Sequence, residues 1–184
     1  MEQIPGNNVD NKIEQKWNIN PVEAIQTIER SIEISPIIDT DIAMCVIKPD
    51  AFQNKDIIIK RLEDSGLYIV KSVTKNLPEK FVIGEMYDPN TLPKPIAEAT
   101  AKHFSSGPSE IILVKGDDVV NKLLQVIGLK TNPVLCEEDT VRYMYGDHVP
   151  EELEQGLKYY RNAAHRSTNK GEAIADVKKF KQIL

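Results

Sequence analysis

Three short stretches carry side chains whose types and spacing could do chemistry. Lys48 directly follows the apolar run Ile42-Ala43-Met44-Cys45-Val46-Ile47 and precedes Pro49-Asp50. A lysine at a strand end can reach a ligand at the sheet edge, although alone it also fits an ordinary solvated lysine. The second stretch is Arg161-Asn162-Ala163-Ala164-His165-Arg166-Ser167. A histidine among small residues, an amide and a hydroxyl has the surroundings of an oriented nucleophile; the plain alternative is a surface histidine on a helix or loop. The third, Ser105-Ser106-Gly107-Pro108, is by itself only a turn. There is no Walker A loop, no GxGxxG, no HExxH and no GxSxG. Cys45 and Cys136 form no CxxC and no Cys/His cluster, so no residue is read as a metal ligand.

The elements that must position these groups follow from periodicity. Residues 42–47 read as a buried strand, 54–65 as a helix stopped by Ser65-Gly66, and 67–77 as a second, Val/Ile/Tyr/Thr-rich strand. Pro78 opens a helix through about Met86. Residues 96–104 are helical by composition, and 111–114 read as a central strand. Val119, Val120, Leu123, Leu124 and Ile127 mark a helix ended by Gly128. Short helices are expected at 139–145 and 151–157, a short fourth strand at Tyr159-Tyr160, and a closing amphipathic helix over 171–184. This order supports an α/β or α+β sandwich without choosing between a parallel and a ferredoxin-like sheet.

Residues 1–41 read as a polar arm with a helix over about 20–34, capped by Asn20 and started by Pro21. That helix either docks a protein partner or packs on its own domain. The chain has 184 residues, with 23 Lys+Arg against 28 Asp+Glu and a formal net charge of −5. Such a balance argues against a general nucleic-acid binder. No apolar run approaches the roughly 20 residues that cross a bilayer. The polar, acidic N-terminus is no signal peptide, and two lone cysteines suit a reducing, cytoplasmic setting.

Taken together, the three stretches resemble a nucleoside diphosphate kinase domain. The resemblance rests on Val46-Ile47-Lys48-Pro49-Asp50, Ile59-Lys60-Arg61-Leu62-Glu63-Asp64-Ser65-Gly66 and His103-Phe104-Ser105-Ser106-Gly107-Pro108. It continues through Gly128 with Thr131-Asn132-Pro133, Thr140-Val141-Arg142, and Arg161-Asn162-Ala163-Ala164-His165 with Ser167. It makes 42–184 the domain, with an insertion at about 146–157. The fold it implies is α+β, a ferredoxin-like βαββαβ core with a four-stranded antiparallel sheet. The activity it implies is γ-phosphate transfer from a nucleoside triphosphate such as ATP to a diphosphate, through a phosphohistidine. By position His165 is the nucleophile and Lys48 bonds the transferring phosphate. Thr131 and Arg142 contact the outer phosphates, Asn162 the sugar. Mg2+ is implied only as an ion held by the nucleotide phosphates. A homo-oligomer is also in keeping with the family.

Several positions depart from the family pattern. The aromatic residue that stacks on the base is here Ile96, and a second phosphate-binding arginine is Leu124. A tyrosine near the histidine aligns with Asp88, and a one-residue shift puts Tyr87 there in that supporting role. Arg166 replaces the glycine after the nucleophile, where it either crowds the site or supplies the missing charge. Thr168 replaces an acid, and Asp176 stands for the glutamate that orients the histidine. Glu151, Glu152 and Glu154 make the insertion acidic. His103 reads as structural, and His148 has no assigned role. The Thr140-Val141-Arg142 and Tyr145-Gly146 pattern resembles divergent domains of ciliary and flagellar proteins. Three functions follow from the resemblance: a working kinase, a structural module with axonemal or microtubule partners in a cilium, or a nucleotide-binding regulator without turnover.

Overall fold

The first strand, β1 (Ile42–Ile47), is buried at all six positions, and the reason is visible on both sides of it. Ala43, Cys45 and Ile47 face one apolar cluster and Ile42, Met44 and Val46 another. A strand covered on both faces needs a continuous apolar run rather than alternation. The computed structural model describes residues 41–88 and 90–184. The expected arm helix over 20–34 lies outside the described residues.

After β1 come α1 (Lys55–Asp64), β2 (Tyr68–Lys75), α2 (Glu79–Val82), α3 (Lys94–Ser105), β3 (Ser109–Lys115), α4 (Val119–Ile127) and α5 (Val141–Tyr145). The chain closes with β4 (Glu151–Glu152), β5 (Lys158–Tyr159), β6 (Ala164–Arg166) and α6 (Lys170–Phe180). The main sheet has the order β2-β3-β1-β6, and every neighbouring pair is antiparallel. This arrangement is the expected ferredoxin-like one. Ile58, Leu62, Val119, Leu123 and Ile127 of α1 and α4 pack on one face. Val82, Ala101, Phe104, Val177 and Phe180 of α2, α3 and α6 pack on the other. Phe104 and Phe180 are fully buried; truncating either to alanine costs about 3–5 kcal/mol in such a setting. Among the described residues no helix is long and apolar enough to cross a membrane.

Three expectations need correction. The helix expected at 151–157 is instead a two-stranded ribbon, in which Glu151 pairs with Tyr159 and Glu152 with Lys158. Its tip bends through Gln155 and Gly156, with φ of 62° and 73°. Glu151 to Leu157 has too few apolar residues to define a buried helical face. The fourth sheet strand is therefore not at Tyr159-Tyr160 but at Ala164–Arg166, which pairs with β1. Ala164, His165 and Arg166 have little strand propensity, and only the β1 edge makes them a strand. Lastly, the helix opened by Pro78 stops at Val82 rather than near Met86. Gly84, at φ 138°, turns the chain back so that Ile83 bridges Tyr87.

Two local features set the site's geometry. Gly128 ends α4 at φ 109°, and a Cβ there would lie 2.9 Å from Cys136 Sγ and 3.1 Å from Thr140 Oγ1. Only glycine fits that turn. The Thr140 hydroxyl then caps α5 by accepting from the Tyr143 amide. Together these fix the direction in which Arg142 leaves α5.

Candidate active site

A cavity of about 320 Å³ opens at the end of the sheet where β1 and β6 meet. Lys48, Tyr87, Ile96, Thr131, Arg142, Asn162 and His165 all line it. Residues over a hundred positions apart in sequence are thus gathered by three elements and four loops. Ser167 and Asp176 do not line the cavity but stand behind His165.

His165 lies in β6, opposite Val46 of β1. Its Nε2 is 3.3 Å from Asp176 Oδ2, and that same oxygen accepts the Ser167 hydroxyl at 3.0 Å. Its Nδ1 is 3.1 Å from the Tyr87 hydroxyl, and the two rings meet edge to face at 79°. Burial pushes the Asp176 carboxyl up, but bonds from His165 and Ser167 and the nearby Lys179 ammonium hold it below the usual carboxylate range. An ionised Asp176 keeps the proton on Nε2, which leaves the Nδ1 lone pair on the Tyr87 side. Tyr87, not the aligned Asp88, reaches the histidine; Asp88 is exposed and accepts from Asn90.

Lys48 is 4% exposed. Its Nζ donates to Asn162 Oδ1 at 2.7 Å and sits 4.8 Å from the centre of the Phe104 ring. Burial is the main cause of its lowered pKa, about 8, partly opposed by Asp50. Asn162 passes the connection on, donating from Nδ2 to the Thr131 carbonyl at 3.1 Å. Thr131 itself is exposed at the cavity edge.

Arg142 and Arg166 converge on one carbonyl, that of Gly128, at 3.4 and 3.1 Å. Arg142 also holds Ala164 O at 3.0 Å and Lys130 O at 2.9 Å, and Arg166 holds Leu129 O at 2.8 Å. These bonds to backbone carbonyls supply no negative charge. Burial, then the Arg166 charge, lowers the Arg142 pKa to about 10. Burial lowers that of Arg166 as well. Two neighbouring guanidiniums, partly desolvated, form an anion-seeking corner. Arg166 is held on the Gly128 and Leu129 carbonyls and shares the cavity wall with His165. Leu124 is not among the lining residues.

His165, Glu172 and Asp176 bring donor atoms within 4.8 Å of one another. Their carboxylates already accept from Ser167 and His165 at Asp176 and from the Thr168 amide at Glu172. The other polar side chains lining the cavity are lysines, arginines, Asn162 and hydroxyls, which suits phosphates that carry their own magnesium rather than an ion held by the protein.

Sequence reading missed part of this wall. Leu92, Thr100, Leu129, Lys158, Tyr159, Tyr160 and Glu172 also line the cavity. Tyr159 and Tyr160 could have been found from their place just before the Arg161-Asn162 motif. The acidic Glu151, Glu152 and Glu154 are exposed and do not line it. His103 is buried, 2.8 Å from the Tyr159 hydroxyl and 3.1 Å from Asp50. His148 lies 2.7 Å from the Tyr143 carbonyl, outside the cavity.

The model of a family described as nucleoside diphosphate kinase matches residues 41–182. The chain is 30% identical over 129 residues to a nucleoside diphosphate kinase of Francisella philomiragia, covering 64% of this chain and 90% of that one. It is 27% identical to a thioredoxin domain-containing protein 3 homolog of Ciona intestinalis, covering 65% of this chain but 18% of that protein. Among solved structures, a nucleoside diphosphate kinase from Borrelia burgdorferi with bound vanadate and ADP superposes with a TM-score of 0.65 at 20% identity. That likeness covers 76% of this chain and 85% of the other. A Pyrobaculum aerophilum NDP kinase gives 0.63 at 20% identity, covering 77% and 95%. These two structural likenesses concern the fold.

Proposed function

The chain belongs to the nucleoside diphosphate kinase family, and we propose that it transfers the γ-phosphoryl group of a nucleoside triphosphate to a diphosphate through His165. The observation that carries this reading is the pair of bonds around His165. Asp176 holds Nε2, and Nδ1 is left beside the Tyr87 hydroxyl at the cavity wall.

In the first half-reaction the Nδ1 lone pair forms a bond to the γ-phosphorus. The bond from that phosphorus to the β-bridging oxygen breaks, and the diphosphate leaves with the electron pair. Neutral imidazole needs no strong base for this attack, so positioning and charge neutralisation dominate. As the Nδ1–P bond forms, positive charge grows on the ring, and ionised Asp176 stabilises it through Nε2–H. Lys48 neutralises the transferring oxygens, while Arg142 and Arg166 meet the outer phosphates. Arg166 thereby supplies the guanidinium that Leu124 lacks. Thr131 bonds an outer phosphate oxygen and Asn162 the sugar hydroxyl. Magnesium, when bound through the phosphates, adds further neutralisation there. The second half-reaction runs the same steps in reverse onto an acceptor diphosphate. Ile96 covers one side of the base by apolar contact. A homo-oligomer, as in the wider family, belongs to this same reading.

The test is a phosphoenzyme assay. The full chain is mixed with Mg-ATP labelled at the γ-phosphate, and acid-labile, base-stable label is measured beside His165→Ala. Label that depends on His165 and moves to an added diphosphate supports the reading. Its absence from a folded chain sinks it.

A second reading drops the chemistry and keeps the fold as an interaction module. It is favoured by the insertion at 146–157, which carries Val149 at 80% exposure and leads into the two-stranded ribbon. Residues 1–41 would add a docking arm, with axonemal or microtubule proteins as partners and a cytoplasmic or ciliary place. Tight nucleotide binding without any label would instead mark a regulator.

A further inference from the structure

A buried polar chain starts at the cavity wall and ends two residues before His165. It starts at Tyr159 in β5, the return strand of the inserted ribbon. The Tyr159 hydroxyl is 2.8 Å from His103 Nδ1, and the rings meet edge to face at 86°. His103 Nε2 lies 3.1 Å from Asp50 Oδ1, an ion-pair distance, and neither buried atom has a hydrogen-bond partner. Asp50 Oδ2 accepts the Ala163 amide at 3.0 Å. The Ala163 carbonyl in turn accepts the Lys48 amide at 2.8 Å.

Ala163 is the point of interest. Its φ is 64°, the left-handed region, which a side chain with a Cβ resists. Such a conformation persists only where the surroundings over-determine it. Here the peptide groups on both sides of its Cα are tied, one to Asp50 and one to Lys48. The turn at Ala163 sends Asn162 toward Lys48 and the next residues into β6, where His165 sits.

We propose that Tyr159, His103 and Asp50 form a positioning relay that locks Ala163 in its left-handed turn and so sets the place of the His165 imidazole. As a statement about phosphoryl transfer it rests on the function proposed above. With a proton on Nε2, a small turn of the His103 ring aims that N–H at Asp50 Oδ1 and gives both orphaned atoms a partner. Tyr159 O–H then donates to Nδ1, and Ala163 N–H donates to Oδ2. Burial raises the Tyr159 pKa, so its hydroxyl keeps the proton it donates. Burial also pushes Asp50 up, but His103, Lys48 and the Ala163 amide together hold it low. An ionised acceptor is the stronger one for a backbone amide. None of the three is placed on the reacting atoms; they act through the backbone. The relay joins the two-stranded ribbon to the strand that bears the histidine.

The test uses the full chain and three variants: Asp50→Ala, Asp50→Asn and Tyr159→Phe. The readouts are hydrogen exchange at the Ala163 amide, the imidazole resonances of His165, the rate of His165 labelling at saturating Mg-ATP, and the Kd for Mg-ADP. Asp50→Ala is expected to speed Ala163 exchange and slow labelling by roughly a hundredfold, with Kd moving less than about threefold. Asp50→Asn keeps an acceptor for Ala163 and can restore the chain with His103 in its other tautomer, so it recovers most of the rate. Tyr159→Phe removes only the outermost bond and slows labelling by about three- to tenfold. Unchanged exchange in Asp50→Ala, or faster exchange with an unchanged labelling rate, overturns the relay. If Asp50→Ala fails to fold, Asp50→Asn and Tyr159→Phe carry the same comparison. If the unaltered chain takes no label, the proposed function fails by itself. The relay is then judged on Tyr159→Phe: displaced His165 resonances and faster Ala163 exchange support it, and unmoved ones overturn it.

Discussion

The two ends of the cavity are built differently. At the His165 end nearly every polar side chain has a fixed partner: His165 with Asp176, Lys48 with Asn162, Asn162 with Thr131 O, and both arginines with Gly128 O. At the Ile96 end the wall is Leu92, Ile96, Tyr159 and Tyr160, mostly apolar or aromatic surface. The directional bonds converge where β1, β6 and the loop after α4 present backbone groups to hold them. The difference teaches where discrimination lies. Charge-assisted bonds of about 1.5–3 kcal/mol each recognise groups that every nucleotide carries. Contact at the Ile96 end is worth only about 25 cal/mol per Å² and distinguishes bases weakly.

The contrast is open to test, the largest effect first. Lys48→Ala should lower kcat/KM by about ten- to a hundredfold, because one charged phosphate contact of about 1.5–3 kcal/mol is lost. The same lysine gives the contrast a pH signature. Its pKa of about 8 means that it loses its charge as pH rises through that value. Phosphate favours the charged form, so Mg-ADP binding near pH 8 to 9 should take up a proton; calorimetry in buffers of different ionisation enthalpy reads this directly. Binding without proton uptake there would show that the His165 end is not organised around Lys48.

Asp176→Asn should slow labelling by about tenfold or somewhat more, since an amide can no longer stabilise the charge that grows on the ring. Quenched-flow labelling measures it, with Mg-ADP affinity nearly unchanged. The carboxylate also bears on stability. Its folded pKa lies below the unfolded value of 3.8, so its contribution is fully present above that value and is lost as pH falls through the folded one. Acid titration followed by circular dichroism should therefore show a shallower acid transition for Asp176→Asn than for the unaltered chain.

Arg166→Leu should weaken Mg-ADP by about three- to tenfold, less than Lys48→Ala, since Arg142 remains in the same corner. An equal or larger loss would make Arg166 the principal phosphate contact. The smallest effect belongs to the other end. Ile96→Phe should tighten Mg-ADP by roughly two- to fivefold through ring stacking. A gain beyond tenfold would mean that the Ile96 end, not the His165 end, limits affinity.

Much of the fold was legible from local pattern. The runs at Ile42–Ile47 and Ile111–Val114 and the helix with Leu123 and Ile127 are dense in apolar residues, and burial is what such density reports. The site was legible only in part. Lys48, Asn162 and His165 stand in recognisable motifs, and Tyr87 was within one position. The ribbon at Glu151–Tyr159 was read as a helix because a short polar segment carries no periodic signal. The strand at Ala164–Arg166 carries no local strand signal, because one alanine, a histidine and an arginine do not resemble a strand.

What the sequence by itself determined is the set of chemical groups and the elements that repeat with a period, since those depend on near neighbours in the chain. It named the histidine, the lysine, the asparagine and the family they resemble. Only the tertiary structure decided that Arg166 points to the carbonyl shared with Arg142, that Tyr87 rather than Asp88 meets His165, and that Tyr159 reaches Asp50 through His103. Those choices depend on contacts between residues as far apart as Asp50 and Ala163. No local pattern encodes them, because the free energy that selects them is gained only when the sheet brings β1 and β6 together.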